Sequence, residues 1–400
     1  MLTNSCFFTK ESVLKKALMV ATVASVIDQF NDRNLEILQD MGYEVHVAAN
    51  FESGNTTSQE RVYEYERILR NKGITVHNIT FPRDPKKLTE MCNSFRALKQ
   101  VIRDGKFDLV HCHTPVGGML TRLICIPYRM RGMKVIYTAH GFHFYRGASL
   151  KCWLMYYPIE KILSRFTDVL ITINDEDYVR ARRGLDCKNI VKVPGIGIDP
   201  GKYRFSAEEK RQIRAEMREE LGLSEKDFVI INVGELSIRK NQLLLLKSMR
   251  LIHKKNVKLV LTGIGVCRRD IMKYAYDHRL SKRVIFTGYR EDIPKLLAMA
   301  DCFVFTSIQE GLPVALMEAK ACGLPCIVSR IRGNIDLIHH HFGGYCVESM
   351  SPGDWAGYIE RMADKPEQER IDMGKRNMTD MDAYSCEAVD KCMRDIYEGV

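Results

Sequence analysis

Short apolar runs alternate with amphipathic segments along most of the chain. In the first half, the runs "KALMVATV" (16–23), "YEVHVAAN" (43–50) and "FDLVHCH" (107–113) predict buried β-strands separated by helical patterns. This strand–helix rhythm predicts a parallel sheet covered by helices on both faces. One of the later helices is predicted at "YPIEKILSRF" (157–166).

A turn-rich segment, "PGIGIDPGKYRF" (194–205), interrupts the rhythm with two prolines and three glycines. The rhythm then restarts at "DFVIINVGE" (227–235) and continues through a second set of strands and helices. We therefore predict an α/β protein of two doubly wound, Rossmann-like domains facing a cleft, residues 1–195 and 196–371. In such sheets, ligands bind beyond the carboxyl ends of the strands.

The charge balance favours anionic partners. Sixty Lys and Arg against fifty Asp and Glu give the 400-residue chain a net charge of +10, which suits phosphates, nucleotides or an acidic membrane surface. The excess is too diffuse to predict nucleic-acid binding. Thirteen cysteines without a C-x-x-C pair indicate free thiols in a reducing compartment. No signal peptide is evident and no apolar stretch approaches the ~18 residues that span a bilayer, so we predict a cytoplasmic protein.

Neither a metal site nor a dinucleotide fingerprint is predicted. The "HCH" and "HHH" clusters lack the Cys and His spacings of metal sites. The segment "TGIGVCRR" (262–269) follows a strand, but Arg268 stands where the third glycine of G-x-G-x-x-G belongs, which argues against hydride transfer. Its two glycines, Gly263 and Gly265, either let the backbone approach a ligand or simply make the turn.

The most informative segment is "FTSIQEGLPVALMEAKA" (305–321). Pro313 suits the first turn of a helix, whose free N–H groups and dipole attract an anion. Gly311 permits close approach of a ligand, and the carboxylates of Glu310 and Glu318 can accept hydrogen bonds from hydroxyls. The segment therefore fits a nucleotide sugar, whose diphosphate lies between two hydroxyl-rich rings. The alternative is that Glu310 is a surface acid of the loop and that Glu318 forms an exposed ion pair along the helix.

Two cations precede another predicted helix, in "VGELSIRKNQLLLL" (233–246). Arg239 and Lys240 follow a strand end, where cations can neutralise a leaving diphosphate. A solvated charge pair remains the alternative.

Four histidines follow or end predicted strands. His140 ends one strand and His143 comes three residues later, a placement that faces a cleft more often than a core. Alternation puts His111 and His113 on one face of another strand end. We predict that His111, His113 and His143 shape the acceptor side of the cleft; a structural role remains open.

With these residues in place, the chain resembles the large retaining family four of glycosyltransferases, which have the GT-B fold. The segment "EGLPVALMEAKACGLPCIVS" (310–329) resembles the family's E-x7-E segment and the strand after it. The linker "VKVPGIGIDPGKY" (191–203) and the order of "FTGYREDIPKLLAMADCFVFTS" (286–307) are also similar. The segments at 111–123 and 138–148 look closest to the subgroup that builds capsular, exopolysaccharide and lipid-linked glycans in bacteria.

The resemblance implies a role for each matching residue. Glu310 would hold hydroxyls of the donor sugar, Lys240 would bind the diphosphate, and His140 would lie next to the reacting carbon. Glu318 would hold the ribose. Further donor contacts would come from the following residues: Gly311 and Leu312 through backbone N–H groups, Gly263 and Gly265 beside the nucleotide, and Arg290 near the base.

The sequence departs from the family pattern in two places. Glu235 stands where members carry an arginine before the lysine, and we expect Arg239 to supply the missing charge. The first loop, "ATVASVIDQFN" (21–31), lacks the Gly-Gly of many members, which leaves phosphate contacts from the first domain open. The helical segment 372–400 is expected to pack back on the first domain.

The expected reaction moves a sugar from a nucleoside-diphosphate sugar, by analogy a UDP-hexose or UDP-N-acetylhexosamine, to a polyprenyl-diphosphate-linked acceptor. The anomeric configuration would be kept, and neither a metal nor a cofactor is expected. Two alternatives remain: a non-hydrolysing nucleotide-sugar epimerase, and a non-catalytic sugar-nucleotide-binding subunit.

Residues 121–166 hold eight Lys and Arg residues against one acid, interleaved with Trp153, Tyr156 and Tyr157. This pattern favours an anionic membrane surface on the inner face of the cytoplasmic membrane. A helix packed on the sheet, with its cations in solvent, is the alternative.

Overall fold

The computed structural model describes residues 14–82 and 87–400, which form two compact units. The first unit holds the described residues as far as Thr172, together with Arg180–Val191 and Cys392–Val400. The second holds Ile173–Val179 and Lys192–Lys391. The observed division after Val191 lies close to the predicted boundary at 195.

The first unit is built on a seven-stranded sheet in the order β3-β2-β1-β4-β5-β6-β7. Its strands are β1 (Lys16–Val23), β2 (Glu44–Asn50), β3 (Thr75–Asn78), β4 (Leu109–His113), β5 (Lys134–Ala139), β6 (Val169–Thr172) and β7 (Asn189–Lys192). Its helices are α1 (Ala24–Phe30), α2 (Asp32–Asp40), α3 (Gln59–Asn71), α4 (Leu88–Gly105), α5 (Pro115–Arg129), α6 (Leu150–Leu163) and α7 (Asp175–Gly184), the last of which is divided between the units. Strand β1 pairs in parallel with β2 and β4, so the sheet has its topological switch point between β1 and β4.

The second unit repeats this plan with six strands in the order β10-β9-β8-β11-β12-β13. They are β8 (Phe228–Val233), β9 (Val257–Thr262), β10 (Val284–Gly288), β11 (Cys302–Phe305), β12 (Cys326–Ser329) and β13 (Gly344–Val347). Its helices are α8 (Ala207–Glu220), α9 (Gln242–Leu251), α10 (Arg268–Asp277), α11 (Ile293–Met299), α12 (Val314–Ala321), α13 (Asn334–Leu337), α14 (Pro352–Asp364), α15 (Glu367–Met378) and α16 (Cys386–Glu398), the last of which is divided between the units. The switch point lies between β8 and β11, which pair in parallel.

The second sheet is covered on both faces, as the continuous apolar strands predict. Strand β8 is buried along its whole length. Its Val229 and Ile231 pack in one core cluster with α11 and α12, whereas Phe228 and Ile230 pack in another with α9 and α14. Because successive side chains of a strand point to opposite faces of the sheet, β8 contributes to a core on each face.

Helix α6 begins at Leu150, seven residues before the predicted start at Tyr157. The hydroxyl of Ser149 accepts a hydrogen bond from the Cys152 N–H at 3.3 Å and caps the helix. Pro158 lies inside the helix rather than near its start.

The C-terminal segment 372–400 is also divided between the units. Asn377 Nδ2 donates to the carbonyl oxygens of Leu324 and Gly343 at 2.7 and 2.8 Å, which ties α15 to the second unit. Only Cys392–Val400 joins the first unit, where the Tyr397 hydroxyl lies 2.8 Å from Nδ1 of His111. The part that packs on the first domain is therefore shorter than predicted.

Candidate active site

The loops after β8 and β11 are joined by backbone and side-chain hydrogen bonds. The Ile308 N–H donates to the Arg239 carbonyl at 2.9 Å, and the buried Thr306 hydroxyl donates to the Asn241 carbonyl at 3.0 Å. Because β8 and β11 are neighbours in the sheet, these bonds bring the cation loop to the acid loop at the switch point. The two sequence segments with the strongest predicted chemistry are therefore adjacent.

Glu310 lies between the two predicted cations and is only 6% exposed. Lys240 Nζ lies 2.8 Å from its Oε1, and Arg239 Nη1 lies 3.1 Å from its Oε2. Apart from this contact with Lys240, the buried Oε1 accepts no hydrogen bond from the described residues. Burial lowers the pKa of Lys240, and the charge of Glu310 opposes that shift. The cluster of Glu310, Lys240 and Arg239, referred to below as the trio, therefore has one oxygen that can accept a further hydrogen bond and one positive charge in excess.

A second buried pair holds the Glu310 backbone. Arg332 Nε donates to the Glu310 carbonyl at 3.0 Å, and Arg332 Nη1 lies 2.5 Å from Oδ1 of Asp177. Both side chains of this pair are almost fully buried. Gly333, at a φ of +76°, lets the Arg332 loop approach, because a Cβ there would lie 2.2 Å from the Gly311 carbonyl oxygen. Sequence reasoning missed Arg332 and Asp177, since they are 155 residues apart.

Glu318 has a different environment from Glu310. The Tyr203 hydroxyl, from the 3₁₀ turn Pro200–Tyr203 at the end of the linker, donates to Glu318 Oε1 at 2.6 Å. Burial raises the pKa of Glu318, and the Tyr203 hydrogen bond opposes the shift. Pro313 is the N-cap of α12 rather than its first helical residue, so Glu318 is the fifth residue of the helix. Tyr203 was another residue that the sequence pattern did not single out.

The glycines after β9 allow two loops to touch. A Cβ on Gly263 would lie 2.1 Å from the Gly234 carbonyl oxygen, and one on Gly265 would lie 2.4 Å from the Leu236 carbonyl oxygen. These glycines are therefore required by the close contact of the β9 loop with the β8 loop. Glu235 is exposed beside them.

Arg290 is already paired within its own unit. Its guanidinium makes a bidentate contact with Asp292, at 2.7 and 2.6 Å, and Nη1 lies 2.6 Å from Glu220. A role near the nucleotide base would have to use its stacking face or a rearranged side chain. The role stays a prediction.

Three of the four predicted histidines meet in the first unit. His113 Nδ1 lies 3.2 Å from His140 Nε2, and the His111 and His113 rings are 4.2 Å apart. His111 is fixed on both sides, by Tyr397 and by the Thr138 hydroxyl at 2.8 Å. Burial lowers the pKa of His111 to about 3 and that of His140 to about 4, so both are neutral at pH 7.

His143 does not belong to the cluster of His111, His113 and His140. Its ring stacks on Tyr156 of α6 with a centroid separation of 4.4 Å. Among the described residues, no group of three or more His, Cys, Asp or Glu side chains is placed to hold a metal ion. Within 14–82 and 87–400, no helix is both long and apolar enough to cross a bilayer.

Two family models match the chain, one in each half. Residues 32–194 match the "Glycosyl transferase 4-like domain" and residues 213–378 match "Glycosyl transferases group 1". Among solved structures, HepE of Anabaena, in complex with UDP and glucose, is similar with a TM-score of 0.76 at 17% identity, over 96% of this chain and all of that one. The fold is thus that of a glycosyltransferase.

Relatives with similar sequences also carry glycosyltransferase names. The putative glycosyltransferase EpsD of Bacillus subtilis (strain 168) is 37% identical over 357 residues, 88% of each chain. The UDP-Gal:alpha-D-GlcNAc-diphosphoundecaprenol alpha-1,3-galactosyltransferase of Escherichia coli is 32% identical over 72% of each chain. The chain belongs to the family-four glycosyltransferases with the GT-B fold, and the resemblance to the subgroup of capsular and lipid-linked glycan synthesis is confirmed.

Proposed function

We propose that the protein is a retaining glycosyltransferase that moves a hexose or N-acetylhexosamine from a UDP-sugar to a hydroxyl of a lipid-linked diphosphate acceptor, in cell-surface polysaccharide biosynthesis. The observation that carries the proposal is Glu310, a buried carboxylate held between Lys240 and Arg239 at the switch point, whose Oε1 has no contact partner besides Lys240 among the described residues. The substrates named for the Escherichia coli relative support the choice of donor and acceptor class.

Each member of the trio has a separate task in this proposal. Glu310 Oε1 accepts a hydrogen bond from a donor-sugar hydroxyl, which gives this buried oxygen the hydrogen bond that it lacks within the described residues. Lys240 and Arg239 stabilise the charge that grows on the diphosphate as its bond to the sugar breaks. The acceptor oxygen then bonds to the same carbon, with the configuration kept, and its proton leaves with the diphosphate. These two cations supply the positive charge, so the proposal contains no metal.

Two further residues complete the donor contacts. Glu318, oriented by Tyr203, accepts hydrogen bonds from the ribose. His140 contacts the donor sugar as a neutral hydrogen-bonding group, because burial lowers its pKa to about 4. One ring nitrogen of His140, Nε2, is in hydrogen-bond contact with Nδ1 of His113 at 3.2 Å.

A peripheral location on the inner face of the cytoplasmic membrane is part of the proposal. Helix α6 exposes Leu150 and Leu154 by 72% and 70%. The basic excess around α6 is smaller than the sequence suggests, because Arg122 is fully buried against Glu160. Three more of the eight cations are paired: Arg129 with Asp168, and Lys161 and Arg165 with Asp186. Membrane contact therefore depends mainly on the apolar face of α6.

Transfer assays with purified protein test the donor site. We expect turnover with one UDP-sugar and a lipid-diphosphate-linked sugar, and a loss of about 100-fold or more in kcat for Glu310→Gln, since a preorganised charge contact is removed. Glu367→Gln, at an exposed acid in the first turn of α15, is the matched control and should stay near wild type. Equal losses in both variants would contradict the assignment. Conversion of the UDP-sugar without acceptor would indicate an epimerase, and binding without any turnover would indicate a non-catalytic subunit.

Co-sedimentation with vesicles tests the membrane contact. We expect Leu154→Glu to reduce binding to vesicles that contain anionic lipid, because a charge replaces an exposed apolar side chain. Tyr63→Glu makes a similar change at an exposed position on α3 and should not affect binding. Wild-type protein that remains in the supernatant would contradict the membrane proposal. It would not affect the proposal for the donor site.

A further inference from the structure

A cavity of about 310 Å³ lies in the first unit at the switch point of its sheet. Thr22, near the end of β1, and Thr114, directly after β4, line it together with His143. Met119 of α5 and Tyr156 and Ile159 of α6 line its walls. The volume is at the lower end of the range of about 300–1,000 Å³ that small-molecule sites occupy. Its position is the one where open α/β sheets bind ligands.

Three of the polar side chains that line this cavity already have hydrogen-bond partners within the protein. The hydroxyls of Thr22 and Thr114 lie 2.5 Å apart and hydrogen-bond to each other. Both oxygens of Glu160 accept hydrogen bonds from Arg122, at 2.7 and 3.0 Å. A sugar ring in the cavity would therefore find Thr22, Thr114 and Glu160 already engaged, and the cost of burying its hydroxyls beside them would oppose binding. The cavity suits an apolar ligand instead.

The apolar lining continues onto the protein surface. Met155, which lines the cavity, is 48% exposed and follows Leu154 on the same helix. Leu150, one turn earlier, is also exposed. An apolar chain that leaves the cavity along α6 would thus remain in contact with apolar side chains.

We propose that this cavity binds the prenyl segment next to the diphosphate of the acceptor. The inference rests on the proposed function, and it adds the place on this chain where the prenyl part of that acceptor binds. The neighbouring strand end supports the placement, because Thr114 directly follows His113, which contacts His140. A prenyl chain held here would lie beside the histidine cluster.

The test compares two acceptors that carry the same sugar diphosphate, one on a farnesyl chain and one on a methyl group. Met119→Gln keeps the volume of the side chain but places an amide in the apolar wall. We expect it to raise KM for the farnesyl acceptor by about 10-fold, the factor that a modest loss of apolar contact gives. KM for the methyl acceptor and for the UDP-sugar should not change. Met130→Gln, at a position 89% exposed, is the matched control and should match wild type.

Calorimetric titration with farnesyl diphosphate provides a readout that does not depend on turnover. Binding that weakens in Met119→Gln and not in Met130→Gln supports the prenyl site, even if no UDP-sugar is ever transferred and the proposed function fails. Equal KM for the farnesyl and methyl acceptors in the wild type would overturn the inference and leave the glycosyltransferase proposal standing. So would equal effects of the two methionine substitutions, and Ile159→Gln repeats the test if Met119→Gln does not fold.

Discussion

Replacement of Lys240 by methionine separates the electrostatic role of this residue from its packing. Methionine keeps most of the apolar stem and removes Nζ, which lies over the Phe305 ring, 4.6 Å from its centroid. The change leaves Glu310 buried with Arg239 as its remaining cation in the trio. Arg239 is 45% exposed, so it compensates the carboxylate less well than the buried lysine does.

The magnitude follows from the burial of both partners. The Lys240 side chain is 12% exposed and that of Glu310 is 6% exposed. Removal of one partner from a buried ion pair typically costs about 3–5 kcal/mol, and the remaining contact with Arg239 places this case at about 3 kcal/mol. The double substitution Lys240→Met/Glu310→Gln removes the uncompensated charge as well. We therefore expect it to unfold at a higher urea concentration than Lys240→Met alone.

Urea unfolding and transfer assays, run on the same preparations, distinguish stability from activity. Lys273→Met is the matched control, because Lys273 forms an exposed i,i+4 pair with Asp277 and should cost less than about 1 kcal/mol. The double variant should regain stability and remain inactive, since the diphosphate loses its cation. If the double variant is no more stable than Lys240→Met, the buried pair does not carry the energy assigned to it. If it is active, Lys240 does not stabilise the leaving group.

The remaining predictions concern three other parts of the molecule. Burial lowers the pKa of His140 from 6.5 to about 4, so between these pH values the unfolded state binds more protons than the folded state. The contribution of His140 to stability should therefore be complete above pH 6.5 and decrease as the pH falls toward 4. Urea midpoints measured across this range would show the decrease. Gly263→Ala would force a Cβ to 2.1 Å from a backbone oxygen and should cost more than about 1 kcal/mol and weaken UDP binding, whereas Gly357→Ala, in open space on a helix, should stabilise slightly. Asp177→Asn weakens the compensation of the buried Arg332 guanidinium, and we expect a loss of about 3–5 kcal/mol in urea unfolding together with lower kcat.

The strands were predictable because their apolar runs are continuous and local. The predicted strand at 16–23 has the bounds of β1, and the turn-rich linker separates the two sheets as expected. Helix α6 was predicted too short because it is apolar on most faces. Without a clear polar face, its first seven residues give no helical period, and Pro158 then resembles a start rather than an interior position.

The candidate site was predictable only where its residues lie in consecutive segments. Glu310 and Lys240 follow strand ends, and sheet topology brings such ends together without any pairwise signal. Tyr203 and Arg332 could not be found in this way, because each contacts a residue more than a hundred positions away. Arg122 was mispredicted for the opposite reason. It belongs to a basic segment that the sequence assigns to the surface, but Glu160 pairs with it in the core.

The resting arrangement of the trio explains how a buried lysine and a buried carboxylate can persist without a donor. Each compensates the other, as buried charges require. In the proposed complex the partners exchange: the diphosphate takes the lysine, and a sugar hydroxyl takes Glu310 Oε1. UDP alone offers the first exchange but not the second, so it would draw Lys240 from a carboxylate that gains no new partner. The pair should therefore favour an intact UDP-sugar over the UDP product, a bias that aids product release as well as recognition.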